Sequence, residues 1–423
     1  MKIEFMAIGD ELLNGTTREI NATWLGQFLT DQALQLTRVT ILKDDRWELQ
    51  SALTHGLENS QIIILSGGLG PTRDDLTKQS LANFFNLPLV DDAGARAISK
   101  KNYARIGKTW HPQLNSYHII PEFFTALDNP TGLAPGLRYK IPQSDQVLLV
   151  APGVPSEFSS MVQEVFFPYL RDHHLIVRKK IHRATIRTRG IYEEKIFTEL
   201  CPTLWDDLAK YGKVSSLPQT LGVDIIVQFS ADSDRHKLLR QKIFSLVADG
   251  PLKEYVWQYG NLSLPALIIQ QAKKKKLKIA LAESCTGGLA ASLLTDIPGS
   301  SEVFTGALVT YSNRAKQDLL QVKAATLEKY GAISTQTARE MAKGAQAKLK
   351  ADIVVAFTGL AGPPEKNPTE QLPVGTVAIA TTSVHHSTCQ VMNFHGERKK
   401  LKLRFATMGL FILLQHIEKY PQS

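Results

Sequence analysis

The stretch IALAESCTGGLAASLL (Ile279–Leu294) sets a serine, a cysteine, a threonine and two glycines where an apolar strand gives way to a helix. One capping residue suffices for such a junction, so the surplus of small polar residues points to a place where something is held. Ser284 offers a hydroxyl nucleophile and Cys285 a rival thiol, while Gly287 and Gly288 let a ligand approach the backbone. The start of the following helix presents N–H groups that can hold an anion or an oxyanion. The plainer reading, a helix cap followed by a glycine turn, accounts for this junction about equally well when it is taken alone.

Two more segments shift the balance. TYSNRAK (Thr310–Lys316) follows the strand VFTGALV and brings Tyr311, Asn313 and Lys316 to a second strand end. A serine hydroxyl is a weak nucleophile until a base takes its proton. These motifs contain no histidine, but a desolvated lysine can be neutral near pH 7 and serve as that base. FTGLAGPPEKNPTEQLPVGTV (Phe357–Val377) places Thr358 and Gly359 after a third strand. Ligands of open α/β sheets bind beyond the carboxyl ends of the strands, and three complementary clusters there argue for one site.

A second constellation lies near the N-terminus. LSGGLGPTRDDLT (Leu65–Thr77) follows a buried strand and combines Gly67, Gly68, Gly70 and Thr72 with Asp74 and Asp75. Its glycines allow close approach to phosphates, and its two carboxylates are hard ligands of the kind Mg²⁺ takes. Paired aspartates are equally an ordinary preference at a helix start. IGDELLNG, with Asp10, Glu11 and Asn14, and APGVPSEF, with Gly153 and Glu157, mark two further strand ends that could complete the pocket.

The elements that must position these residues alternate. Strands KIEFMAIG, QLTRVTIL, QIIILSGG and QVLLVAPG interleave with helices NATWLGQFLTDQA, WELQSALTHGLEN, DDLTKQSLANFF and SEFSSMVQEVFFPYL. That pattern predicts a parallel sheet covered on both faces. From about Asp172 short alternating strands, HRATIRTRG and LGVDIIVQFS, predict a small α+β segment, and the glycines and prolines of Gly250–Pro265 read as a junction. Strand–helix alternation then resumes with KIALAES, GLAASLLTDI, STQTAREMAKGAQAKLK and DIVVAFTG, and the chain closes on a helix.

The 423 residues exceed one ordinary core and predict two or three domains. With 43% hydrophobic and 21% charged residues, the composition is that of a globular protein. A net charge of +9 suits anionic ligands such as nucleotides. Cys201, Cys285 and Cys389 are scattered and odd in number, forming neither a disulfide framework nor a zinc pattern. GLFILL is far too short to span a membrane, and Glu4 and Asp10 interrupt the N-terminal apolar stretch, so a cytoplasmic protein is expected. KKKKLK (Lys273–Lys278) reads as the solvated end of a helix rather than a nucleic-acid patch.

From about Leu262 the chain resembles the CinA C-terminal domain, the nicotinamide-nucleotide amidase family, through AESCTGG, LLTDIPGSSEVFTG, VTYSNRAK, YGAIS, FTGLAGP and PVGTV. The resemblance implies a Ser/Lys amidohydrolase, needing no cofactor, that converts nicotinamide mononucleotide to nicotinate mononucleotide and ammonia. Ser284 would be the nucleophile, Lys316 the base and Tyr311 an aid to proton transfer or ring stacking. N–H groups around Thr286–Gly288 or Thr358–Gly359 would form the oxyanion hole, with Glu283 and Asn313 beside the substrate. Arg398 or Arg404 in GERKKLKLR would meet the phosphate. The family's glycine-rich turn after AGP is replaced here by PEKNPTEQ.

Residues 1–171 resemble the molybdopterin-binding-like, three-layer domain of the same family, which implies hydrolysis of ADP-ribose to AMP and ribose 5-phosphate with a divalent metal such as Mg²⁺, and K⁺. Asp74 and Asp75 would hold the metal; Glu11, Gly67, Gly68, Gly70, Thr72, Gly153 and Glu157 would line the nucleotide site. The family commonly has histidine where Arg73 stands and a glutamine-containing basic run at NSYHIIPEF. The alternative is a pocket that binds a nucleotide or pterin without turnover. Residues 172–250 take the place of a KH-like α+β domain, but their glycines lack the G-x-x-G spacing of a backbone clamp, so no nucleic-acid partner is expected. The organisation expected is thus 1–171, 172–250, a linker at 251–261 and an α/β amidase domain at 262–423, in a homodimer without membrane attachment.

Overall fold

Strands buried on both faces are largely apolar, and IEFMAI, IIILS and VLLVA, polar only at Glu4 and Ser66, fit that description: none of their residues is exposed. The computed structural model describes residues 1–72, 75–176, 181–230, 235–362 and 372–421. Its chain divides into two units, one holding Met1–His182 and the other Arg183–Phe229 together with Ser233–Ser423.

In the first unit β1 (Ile3–Ile8), β2 (Leu36–Leu42), β3 (Ile62–Ser66), β6 (Thr125–Leu127), β7 (Gly136–Lys140) and β8 (Val147–Ala151) form one sheet in the order β2-β1-β3-β8-β7-β6. The first four strands of that order run parallel, while β7 and β6 turn antiparallel. Helices Arg46–Asn59 and Thr77–Phe84 pack Leu49, Leu53 and Leu81 on one face. Helices Asn21–Asp31 and Pro155–Met161 pack Leu25, Leu29, Phe158 and Met161 on the other. A ribbon of β4 (Leu89–Asp91) and β5 (Ile119–Pro121) stands apart from the sheet.

In the second unit β9 (Ile181–Thr188), β10 (Lys213–Pro218), β11 (Val223–Ser230) and β12 (Val256–Tyr259) make a four-stranded sheet in the order β10-β11-β9-β12. A five-stranded sheet joins β13 (Ile279–Glu283), β14 (Phe304–Val309), β15 (Ile353–Gly359), β16 (Thr376–Ser383) and β17 (Ser387–Asn393) in the order β14-β13-β15-β16-β17. Helices Leu264–Lys274 and Arg398–Lys419 cover one face and Thr335–Leu349 the other. Gly409 brings the long helix against β15 so closely that a Cβ there would stand 1.7 Å from the Phe357 ring.

Three expectations are corrected. Both main sheets are mixed rather than wholly parallel, because hairpins β6–β7 and β16–β17 add antiparallel strands at one edge. The stretch 251–261 is no bare linker, since it contains β12, which pairs with β9. The middle segment accordingly groups with the C-terminal one instead of standing as a separate domain. The lysine run is tied down at the protein's own expense: Lys273 pairs with Glu302, Lys275 donates to the carbonyls of Glu418 and Tyr420, and Lys278 donates to that of Glu302. Among the described residues no helix is long and apolar enough to cross a membrane.

Candidate functional site

The serine loop begins where β13 ends, between β14 and β15. Ser284 N–H donates to Phe357 O at 3.0 Å and Thr310 N–H to Glu283 O at 2.7 Å, so the ends of three strands are laced together here. The next helix, Asn313–Leu320, is capped by Ser312, whose hydroxyl oxygen accepts from Ala315 N–H. One turn in, that helix sends Lys316 inward, where it is only 2% exposed. Its Nζ lies 3.0 Å from Ser284 Oγ, 3.0 Å from Thr310 O and 3.3 Å from Tyr311 O. A neutral amine has two N–H donors and one lone pair. Once neutral, Lys316 Nζ could keep both carbonyls as acceptors and turn its lone pair to the serine hydroxyl, which lies within the reach a general base requires.

Glu283 was expected beside the substrate, but it is fully buried and serves the backbone. Its carboxylate accepts from the N–H groups of Gly288, Ala290 and Ala291 at 2.9, 3.3 and 2.8 Å. It therefore satisfies the orphan donors of the helix Leu289–Thr295 and opposes that helix's positive end. The oxyanion donors shift accordingly. Gly287 N–H donates to Ser284 O and Gly288 N–H to Glu283, which removes both from the expected set. Among the described residues the N–H groups of Cys285 and Thr286 donate to no oxygen. Gly287 and Gly288 have φ of 62° and 91°, a left-handed path that only glycine follows cheaply.

Cys285 belongs to the apolar core of this unit. Burial pushes its thiol up to about 12, outweighing the nearby Lys316 charge and backbone N–H groups. A thiol held protonated is a poor nucleophile, which leaves Cys285 the weaker candidate of the two.

The other expected residues separate into near and far. Tyr311 is 64% exposed, and its hydroxyl accepts from Arg398 Nη2 at 3.0 Å. Asn313 is exposed at the start of its helix. Thr358 is buried and donates to Ala332 O at 2.7 Å, while Gly359 passes so close to Thr376 O that a Cβ would stand 2.7 Å away. These two shape the strand end rather than offer a side chain to a ligand. Arg404 points elsewhere, donating to His395 O at 2.6 Å and lining a separate cavity with Gly190–Glu194 and Pro218–Val223. Of the two arginines, Arg398 lies against Tyr311 and Arg404 does not.

In the first unit, the ends of β1, β3 and β8 surround a cavity of about 690 Å³. Glu11, Gly67, Gly68, Gly70, Asp75, Gly153 and Glu157 all line it, joined by Asp44, Tyr117 and the loop Thr131–Ala134, which sequence reasoning missed. Gly67 has φ of 117°, and a Cβ on it would meet Ile8 O at 2.2 Å. Buried Asn21 ties the wall together through Ser66 Oγ and Gly153 O. Burial pushes the Tyr117 hydroxyl up to about 12 and draws the Lys78 ammonium down to about 8, the latter despite the charge of Asp75.

Several acidic groups here are engaged by neighbouring backbone or side chains. Asp75 accepts from Gly70 N–H at 2.7 Å and Thr72 N–H at 2.8 Å, and the Thr72 hydroxyl donates to it as well. Thr72 thus acts through Asp75 and not as a wall residue. Glu157 accepts from Asn129 Nδ2 at 2.7 Å. Asp10 and Asp44 cross-bond through their backbone N–H groups. Asp74 and Arg73 lie outside the described residues. Among those described, no three His, Cys, Asp or Glu side chains are grouped to hold a metal ion.

Fold and site together define an α/β protein with a buried serine–lysine contact at the strand ends of one unit and a glycine-lined cavity at those of the other. Residues 261–417 match the family model of the CinA C-terminal domain, and residues 4–172 that of a probable molybdopterin binding domain. A CinA-like protein of Chlorobium phaeovibrioides is 32% identical over 100% of this chain and 99% of its own. Another from Amoebophilus asiaticus is 36% identical over 94% of this chain and 95% of its own. The chain belongs to this CinA family. Among solved structures, the competence/damage inducible protein CihA from Agrobacterium tumefaciens is 38% identical, covering 37% of this chain and 94% of that one with a TM-score of 0.35.

Proposed function

We propose that the second unit hydrolyses the carboxamide of a pyridine nucleotide, converting nicotinamide mononucleotide to nicotinate mononucleotide and ammonia. The contact between Lys316 Nζ and Ser284 Oγ, 3.0 Å long and buried, carries this reading. Ser284 Oγ attacks the amide carbon as Lys316 Nζ accepts the hydroxyl proton. The developing oxyanion is held by the N–H groups of Cys285 and Thr286. The C–N bond then breaks, Lys316 returns the proton to the departing nitrogen, and ammonia leaves an acyl-serine. Water attacks that ester with Lys316 again as base, releasing the carboxylate and restoring the hydroxyl. Arg398 meets the phosphate.

The test is ammonia release from nicotinamide mononucleotide by the full chain and by Ser284→Ala and Lys316→Ala. Loss of turnover in both variants is expected. A full rate in either one removes the dyad.

For the first unit we propose binding of a nucleoside diphosphate sugar of the ADP-ribose type in the glycine-lined cavity, with AMP and ribose 5-phosphate as products. A second reading, binding of a nucleotide or pterin without turnover, is favoured by the engagement of both Asp75 oxygens within the loop. Calorimetry with ADP-ribose, paired with an AMP assay with and without Mg²⁺ and K⁺, separates them. AMP formation supports hydrolysis; binding alone supports the second reading.

A further inference from the structure

The helix Arg398–Lys419 carries two cations on one face at its start, Arg398 and, four residues on, Lys402. Arg398 reaches the Tyr311 hydroxyl and passes Gly362 so closely that a Cβ there would stand 2.7 Å from its Nη1. Lys402 is half-buried, and its Nζ lies 3.5 Å from the place a Cβ would take on Gly287, in the turn that follows Ser284. Among the described residues no carboxylate pairs with Lys402, whereas Lys273, Lys275 and Lys278 near the end of helix Leu264–Lys274 are tied to internal acceptors. Beside Gly287, the Thr286 hydroxyl oxygen is buried and, among the described residues, has no hydrogen-bond partner. A half-buried ammonium and an unsatisfied hydroxyl on one loop are costly in isolation and favourable once a polar, anionic group settles there.

We propose that Lys402 is the second anchor for the substrate's phosphate monoester, closing with Arg398 around it over the Gly287 turn and so selecting a nucleotide over the corresponding nucleoside. The proposal rests on the amide-hydrolase reading of the same site. Arg404, on the same helix, is turned to His395 O and takes no part. Lys402 is thus a binding residue whose effect belongs in KM, because the phosphate is remote from the bond being broken and contributes alike to ground and transition states.

The experiment compares full-length wild type, Lys402→Gln and Lys402→Arg, measuring kcat and KM for nicotinamide mononucleotide and for nicotinamide riboside. Lys402→Gln is expected to raise KM for the nucleotide about tenfold or more with kcat within about threefold, leave the nucleoside unaffected, and be rescued by Lys402→Arg. Equal losses with both substrates, or a fall in kcat at unchanged KM, would overturn the proposal. Calorimetric titration of nicotinate mononucleotide into the same proteins keeps the two ideas apart. If wild type releases no ammonia yet Lys402→Gln weakens this binding about tenfold, the phosphate anchor stands without the amidase. Unchanged binding in that case overturns the anchor too.

Discussion

At the strand ends of the first unit two carboxylates are taken up by the fold itself: Asp75 by the Gly70–Thr72 turn beside it, Glu157 by the Asn129 side chain 28 positions away. In the second unit Glu283 is taken up in the same way by the N–H groups of Gly288, Ala290 and Ala291, but a different pair, Ser284 and Lys316, is left directed at each other. The same structural device, a carboxylate folding a glycine turn, appears in both. Only in the second does it lie beside a buried serine–lysine contact. A cluster of acids at strand ends is thus a poor guide to chemistry, because the turn itself needs them.

The comparison can be broken most severely at the dyad. Ser284→Ala or Lys316→Ala should lower ammonia release by about a thousandfold or more, while Cys285→Ala should leave it nearly unchanged and the wild type should resist iodoacetamide at pH 8, since the Cys285 thiol titrates near about 12. Next comes the packing that supports the dyad's sheet. Gly409→Ala would drive a methyl into the Phe357 ring and is expected to destabilise the second unit by about 1–3 kcal/mol, read from denaturant unfolding. In the first unit Asp75→Ala frees the Gly70–Thr72 turn, and ADP-ribose binding should weaken about tenfold with ammonia release untouched. A change in ammonia release there would contradict the assignment of separate roles.

The smallest effect concerns acid. His416 is buried against the Thr381 and Ser383 hydroxyls, and burial, with His386 and Lys419 adding like charge, lowers its pKa to about 4. The unfolded chain binds this proton below its ordinary pKa of 6.5 whereas the folded chain does not. Stability from His416 is therefore complete above that value and lost as pH falls towards about 4, by roughly 1 kcal/mol or more. Melting of the second unit at pH 7 and pH 5 should show the fall, and His416→Gln should flatten it.

Much of this architecture was legible because buried strands cannot hide their composition. Uninterrupted runs such as IIILS and VLLVA, and the glycines after them, located the strand ends and with them both sites. What escaped was long-range. LRYK and STCQV carry no apolar run, so the antiparallel strands β7 and β17 did not stand out. Asn129, Asn21 and Lys402 matter through partners 28, 132 and about 115 positions away, and no local pattern reports such a meeting. Glu283 misled for the opposite reason: its neighbours in sequence are the reactive groups, yet its side chain turns back to cap the helix behind them.

That turning back has a consequence for how such a fold could change its diet. Many α/β proteins grip an anion with the helix that follows the first strand, but here an internal carboxylate already occupies that berth. On the function proposed above, anion recognition would come from the distant C-terminal helix. Reaction and recognition would then sit on separable pieces of chain, so exchanging a few residues near Arg398 should redirect the protein to another acidic metabolite while Ser284 and Lys316 stayed as they are.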